Sequence, residues 1–273
     1  PIVAALCFDL ESAQERCCSV LLETVDTVLS LHSREQQQGE GGAGRGDILC
    51  FLPGHEDVEL AARMLTERLD ADSSSSSDTA RNIVVVPLHE HLPTSVQMRV
   101  FQPTASAAVR KVILATSIAE TAITVPGVRY VVDSGYTQYR YFDVRSGVET
   151  LTTCLASKAV AVQRSGRAGR TMPGRCFRLM TEEFYRTSPD IPLLPTAEMQ
   201  RVDVTWAVLQ LKAIGIDDIL HFDFLSPPSP ASLIHALELL YSLGALDREC
   251  RLTTATGARM AELPLNPKLS KCL

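Results

Sequence analysis

Four short apolar runs, DILCFL at 47–52, NIVVVPL at 82–88, KVILAT at 111–116 and VRYVVD at 128–133, alternate with stretches of helical period. Strands apolar on both faces need cover on both faces, so this alternation predicts a parallel sheet sandwiched between helices. The intervening helices are expected over 17–31, over 56–69, and from Pro93-Thr94 through Phe101. The second of these aligns Val58, Ala61, Ala62, Leu65 and Leu69 on one side. RCFRLM at 175–180 supplies a last strand. Between the fourth and last strands, 136–142 and 148–154 flank Asp143-Val144-Arg145-Ser146-Gly147 and predict a long β-hairpin standing off the sheet. Ser157 is placed to cap the helix that follows. Two tracts, QQQGEGGAGRG at 36–46 and the serine run at 73–77, have nothing to bury and predict loops.

The character of the chain changes after residue 181. Pro189, Pro192 and Pro195 mark an irregular connection, then helices are expected over 200–213 and 232–243. Short strands at 245–246 and 251–253 around a turn complete the pattern of a winged helix. The expected division is a sheet domain at 1–188 with loops near 33–46 and 71–80, a winged helix at 189–258, and the start of another element at 259–273. The chain opens at Pro1 without a methionine and stops abruptly, and reads as a fragment.

The most informative stretch is Gln163-Arg164-Ser165-Gly166-Arg167-Ala168-Gly169-Arg170. Helical spacing would put Gln163, Arg167 and Arg170 on one side. Three guanidiniums this close repel each other unless an anion joins them, and the planar guanidinium fork matches phosphate oxygens. A solvated basic face at a helix end is the plainer alternative. The net charge of −6 gives no bulk attraction to nucleic acid, so any such contact must be a local basic track. The eight cysteines show no CxxC, and no histidine pair has ligand spacing, so the expectation is buried thiols in a reducing compartment without a zinc site. No apolar run reaches membrane-spanning length, so no membrane association is expected.

In order along the chain come GDILCFLPG (46–54), LPTSVQMRVFQP (92–103), RKVILATSIAETAITVPGVRYVVDSG (110–135) and QRSGRAGRTMPGRCFRLM (163–180). Together they resemble the second RecA-like domain of the DEAH-box RNA helicases of superfamily 2. LQLKAIGIDDILHFDFLSPP (209–228) and ALELLYSLGALD (236–247) resemble that family's winged helix, and LTTATGARMAELPLNP (252–267) the first residues of its helical ratchet domain. The EMQR, LQLKAIGID and SPP wording is similar to a spliceosome-associated type, which implies a nuclear protein. The fold implied is α/β: a RecA-like parallel sheet with helices on both faces and a protruding β-hairpin, followed by a winged-helix domain.

The resemblance implies roles for individual residues. Arg167 and Arg170 match the family's arginine fingers, which reach the γ-phosphate held by the first RecA-like domain, and Gln163 matches the residue that orders the phosphate end. Phe101 matches the aromatic that stacks on adenine, although a core phenylalanine closing a short helix is the plainer reading. Thr124 matches a ribose contact, with Pro126 where relatives often place an aspartate. Gly54, Thr116, Ser117 and Thr121 line the RNA backbone by resemblance, and the hairpin carrying Arg140 and Arg145 props the 5′ side of the strand. Arg164 fits a structural ion pair equally well.

No G-x-x-x-x-G-K-[ST] and no DEAH run occur in the sequence. The loop that cradles phosphates and the carboxylates that hold Mg²⁺ therefore belong, by resemblance, to a first RecA-like domain outside this chain. The expectation is the second motor domain of an ATP-dependent RNA helicase, inactive alone, using ATP with Mg²⁺. Its implied partners are single-stranded RNA, the amino-terminal RecA-like domain, and a glycine-patch activator or spliceosomal proteins. A non-catalytic scaffold for protein partners and a DNA-directed superfamily 2 helicase are the alternatives. Keeping Gln163, Arg167 and Arg170 together favours the motor.

Overall fold

A computed structural model describes residues 10–37, 46–73, 82–103, 109–121, 124–170 and 173–273. They divide into two compact units, one of residues up to Gln138 together with Thr153–Pro195, the other of Tyr139–Thr152 and Thr196–Leu273. The sequence places a boundary at 188/189, whereas the structure keeps the proline segment to Pro195 with the sheet. The reason is local: the Lys158 and Ala159 amides, at the start of a helix, donate to the Pro192 and Leu193 carbonyls at 2.9 and 3.1 Å. The outer part of the hairpin also falls in the second unit.

The first unit is built on five parallel strands in the order β2-β3-β1-β4-β7. These are β1 (Asp47–Phe51), β2 (Ile83–Leu88), β3 (Arg110–Ala115), β4 (Val128–Asp133) and β7 (Arg175–Arg178). Alternation within β1 shows why both faces must be covered. Ile48 and Cys50 join a core with Leu21, Val25 and Val28 of α1 (Leu10–Gln37) and Val58, Ala61 and Leu65 of α2 (His55–Ser73). Leu49 and Phe51 pack on the other face with Val100, Ala119 and Val125. Asp47 ties the sheet's entry: its carboxylate accepts the Lys111 amide at 2.9 Å, and its own amide donates to the Gly127 carbonyl at 2.8 Å.

Helices α1 and α2 are longer than their apolar periods, so residues 33–37 and 71–73 are helical where the sequence predicts loops. The rest of both loop expectations, 38–45 and 74–80, lies outside the described residues. The helix through Phe101 splits into α3 (Thr94–Gln97) and a 3-10 turn, Met98–Phe101. β5 (Tyr136–Asp143) and β6 (Val148–Leu155) form the expected hairpin, separate from the parallel sheet.

The second unit closes on Val204, Val208 and Leu209 from and beside α7 (Thr205–Ala213), Leu233, Ala236 and Leu240 of α8 (Pro230–Ser242), and Leu246 and Met260. α7 begins at Thr205 and not at residue 200: Glu198–Gln200 form a separate 3-10 turn, and the Asp203 carboxylate takes the Thr205 amide at 2.9 Å in a local turn just ahead of the helix. The wing is a single antiparallel bridge, Leu246 to Leu252. α9 (Gly257–Glu262) and α10 (Pro267–Cys272) follow. The hairpin's outer part is fastened in this unit: the Phe142 amide donates to the Arg201 carbonyl at 2.7 Å, and the Arg201 guanidinium lies 4.6 Å from the Tyr139 ring centre. Among the described cysteines, Cys250 and Cys272 are exposed, contrary to the expectation of uniformly buried thiols. Among the described residues no helix is long and apolar enough to cross a membrane.

Candidate nucleotide and RNA site

The arginine stretch does not continue as a helix. α5 (Lys158–Ser165) is capped by Ser157, whose hydroxyl accepts the Val160 amide at 3.2 Å, and it stops at Gly166. Gln163 is exposed in its last turn. Arg167 and Arg170 sit in the tight turn that follows, where the Arg167 and Ala168 amides donate to Arg164 and Ser165 carbonyls at 3.1 and 3.2 Å. A turn aims the two arginines by its own geometry, so helical spacing with Gln163 is not what places them. Ala168 is buried under the sheet and anchors the turn. Gly174 makes that approach possible: a Cβ there would lie 1.9 Å from the Ala168 carbonyl oxygen and 2.5 Å from that of Arg129. Both obstacles are backbone, so Gly174→Ala should lower unfolding free energy by about 1–3 kcal/mol in a denaturant titration.

Arg164 is a different kind of residue from its neighbours. Its side chain is 0 % exposed, with Nε on Glu120 Oε1 and Nη1 on Asp133 Oδ1, both at 2.7 Å. Nη1 also donates to the Tyr136 carbonyl at 3.0 Å, and the guanidinium lies 5.1 Å from the Phe51 ring centre. It is the structural ion pair. Burial opposes its charge, but Asp133 and Glu120 more than offset that and hold it firmly protonated. Arg167 is held below the ordinary guanidinium range by desolvation and by the charge of Arg170. Two cations kept close in this way favour an anion between or beside them.

Arg170 Nη1 donates to the Thr124 hydroxyl, which joins a residue matched to γ-phosphate with one matched to ribose. Phe101 ends its 3-10 turn 36 % exposed, so it is not the core residue of the plainer reading. Its backbone is pinned from both sides, because buried Lys111 Nζ donates to the Val100 and Gln102 carbonyls at 2.9 Å each.

The residues matched to RNA contacts meet at the carboxyl ends of adjacent strands. Leu52 N donates to Ala115 O at 2.9 Å and Thr116 N to Leu88 O at 3.2 Å, so the loops after β1, β3 and β2 are side by side. Gly54 is buried, its amide on Asp57 Oδ2 at 3.0 Å. Thr116 is also buried, and its hydroxyl donates to Glu90 Oε2 at 2.9 Å, while Ser117 is exposed. Thr121 closes α4 (Ile118–Thr121), and its side chain lies outside the described residues. Arg140 and Arg145 are exposed in the hairpin's outer part, within the second unit. There Asp143 shapes the turn, taking the Ser146 hydroxyl at 2.8 Å and the Arg145 amide at 3.1 Å, bonds that hold its carboxyl below the usual range.

Sequence spacing gave no sign of one cluster. His55, His89 and His91 bring their rings within 4.4–6.1 Å of one another beside Gly54 and Thr116. His55 directly follows Gly54, and His89 and His91 follow β2; only the sheet order brings the two segments together. Among the described residues no group of three or more histidine, cysteine or carboxylate side chains is arranged to hold a metal ion.

Comparison with known proteins gives this arrangement a context. Residues 42–172 match the helicase conserved C-terminal domain, and residues 236–265 the winged-helix helicase associated domain, HA2. The chain is 44% identical over 92% of its length to human "Probable ATP-dependent RNA helicase DHX35", covering 34% of it. It is 43% identical over 90% of its length to the fission yeast (Schizosaccharomyces pombe) "Pre-mRNA-splicing factor ATP-dependent RNA helicase prp22", covering 20% of it. The chain thus spans about a third or less of the curated relatives it matches. Among solved structures, the Escherichia coli DEAH/RHA helicase HrpB superposes with a TM-score of 0.72 at 30% identity, over 92% of this chain and 28% of that one. The chain itself combines a five-stranded parallel sheet, a separate antiparallel hairpin and a match to the winged-helix HA2 domain. By both its sequence and its fold, the chain belongs to the DEAH-box family of RNA helicases, in the region of that family's helicase C-terminal and winged-helix HA2 domains.

Proposed function

We propose that the chain is the second motor domain and winged helix of an ATP-dependent RNA helicase. Arg167 and Arg170 serve as arginine fingers on the γ-phosphate of ATP, and Gln163 orders the phosphate end. The observation that carries this reading is the Arg170–Thr124 hydrogen bond. It brings together the guanidinium matched to γ-phosphate and the hydroxyl matched to ribose. Phe101 supplies a face for adenine, and stacking on a π-face discriminates weakly between bases. Gly54, Thr116, Ser117 and Thr121 line the RNA backbone, and Arg140 and Arg145 reach phosphates from the hairpin. Such contacts fix position without reading sequence.

Mg²⁺ and the phosphate-cradling loop are supplied by the first RecA-like domain, against which this chain closes. When bound, the ion neutralises charge on the β- and γ-phosphates. A nuclear, splicing-related setting is part of the same proposal, supported by the similarity to prp22; a glycine-patch activator belongs to it through the family resemblance alone.

The test is ATP turnover by the full-length helicase with and without single-stranded RNA. Stimulation by RNA of any sequence supports the reading. Turnover indifferent to RNA, or absent, would move the assignment to a scaffold for protein partners. Phe101→Ala should raise KM for ATP roughly tenfold, in keeping with a lost stacking contact of about 1–3 kcal/mol. GTP and ATP should then be used about equally.

A further inference from the structure

A two-stranded hairpin leaves one backbone edge of each strand open, and by itself is marginally stable in water. β6 covers one edge of β5. Backbone groups two residues apart on a strand point the same way, so the Arg140 carbonyl and the Phe142 amide share an edge. One residue takes both. The Arg201 carbonyl accepts the Phe142 amide at 2.7 Å, and Arg201 Nη1 donates to the Arg140 carbonyl at 3.3 Å. The same guanidinium lies 4.6 Å from the Tyr139 ring centre. Arg201 thus stands in for a third strand over the length of two residues. On the neighbouring residue, the Phe142 ring is 5.4 Å from that of His235 on α8. All of these groups belong to the second unit.

We propose that Arg201 is a positioning residue, which clamps the outer hairpin so that Arg140 and Arg145 are presented to the phosphates of single-stranded RNA. Consecutive side chains on a strand point to opposite faces. Holding the Tyr139 ring against Arg201 therefore settles which face of β5 carries Arg140. The tip is shaped from within, since Asp143 takes the Ser146 hydroxyl and the Arg145 amide. That shape does not say where the tip sits in its unit, and Arg201 supplies the placement through one main-chain bond and two side-chain contacts. Truncating the side chain removes the two contacts and keeps the main-chain bond. The hairpin should then stay formed while its arginines lose their fixed placement, and ordering them falls to the binding step.

This inference rests on the reading of Arg140 and Arg145 as RNA contacts, and the salt dependence of binding separates the two. The probe is a fluorescein-labelled uridine oligomer titrated with the full-length helicase at several salt concentrations. Each lost phosphate contact flattens the slope of log affinity against log salt by about 0.7. Arg201→Ala should flatten it by about 0.7–1.4, as one or both arginines drop out, and weaken binding roughly tenfold at fixed salt. Arg201→Lys should recover part of the slope, because an ammonium can still donate to the Arg140 carbonyl but stacks less well on Tyr139. In the Arg140→Ala/Arg145→Ala background Arg201→Ala should change nothing further, since no arginine is left to place. Tyr139→Leu, which removes the ring and keeps Arg201, carries the same cycle where Arg201→Ala does not fold. A parental slope in the clamp variant, or a loss that adds to that of the arginine pair, would overturn the positioning role alone. An unchanged slope in Arg140→Ala/Arg145→Ala would instead sink the RNA assignment of the hairpin beneath it.

Discussion

Arg170→Ala in the full-length helicase should lower RNA-stimulated ATP turnover by about 10³-fold, the lower end of what arginine fingers contribute in related NTPases. Three features of the structure set that expectation. Arg170 is exposed, so truncating it empties no cavity and the melting temperature should stay with the parent. Its bond to the Thr124 hydroxyl holds the guanidinium beside the residue matched to ribose. Its charge also presses on Arg167, a strain that an arriving phosphate would ease. A finger meets charge that develops as the phosphoryl group transfers, so the loss should fall on kcat, with KM for ATP largely kept. Arg170→Lys should recover only part of the loss, because an ammonium keeps the charge without the planar fork. Steady-state kinetics with a coupled phosphate assay would decide it. A loss confined to KM would mean that Arg170 merely binds nucleotide.

Arg164→Ala should be the most destabilising single substitution in the same motif. It would leave Glu120 and Asp133, both buried, without the cation that faces them, at a cost of about 3–5 kcal/mol. The cost should depend on pH, and its sign follows from linkage. Glu120 is already held above its ordinary value by burial, with Arg164 the main charge pulling it down. Without Arg164 its folded-state pKa rises further. A carboxyl whose folded pKa exceeds its unfolded one contributes stability below the unfolded pKa and loses it as pH rises through the folded pKa. The variant should therefore be closest to the parent near pH 5 and fall furthest behind near pH 8. Thermal unfolding at those two pH values reads this directly, and a deficit that widens toward acid would contradict it. Arg164→Lys should restore little, since an ammonium cannot meet two carboxylates and a carbonyl as a fork does.

The parallel sheet was legible because each central strand must be apolar on both faces, and DILCFL and KVILAT can serve little else. The reading of Arg167 and Arg170 as anion-seeking rests on their spacing, whatever backbone presents them. The backbone itself was misread: helical period over 163–170 is broken at Gly166, and a turn takes over. Helix ends failed for a related reason. The exposed sides of α1 and α2 continue in polar residues that carry no periodic signal, so their last turns look like loop. The 3-10 turn at Glu198–Gln200 and the Asp203 turn ahead of α7 divide the expected helix, and no apolar pattern reports either. The histidine cluster and the Glu120–Arg164–Asp133 group were beyond reach, since each is assembled from segments far apart in sequence. Arg164 gave only the hint of an arginine with two possible uses.

The strand order has a consequence for how the chain comes to exist. Within this sheet β1 comes first in the chain, yet it occupies the centre, with β3 on one side and β4 on the other. Asp47 meets Lys111 across a separation of 64 residues, and Ile48 finds its second partner, Tyr130, later still. At translation rates of about 5–20 residues per second, β1 waits several seconds on the ribosome with both hydrogen-bonding edges open. During that wait the amphipathic helices α1 and α2 are at hand for DILCF to hide one apolar face against. Nascent chains halted before β3 should be the aggregation-prone species, and the long early helices double as an internal chaperone for the strand they will later cover.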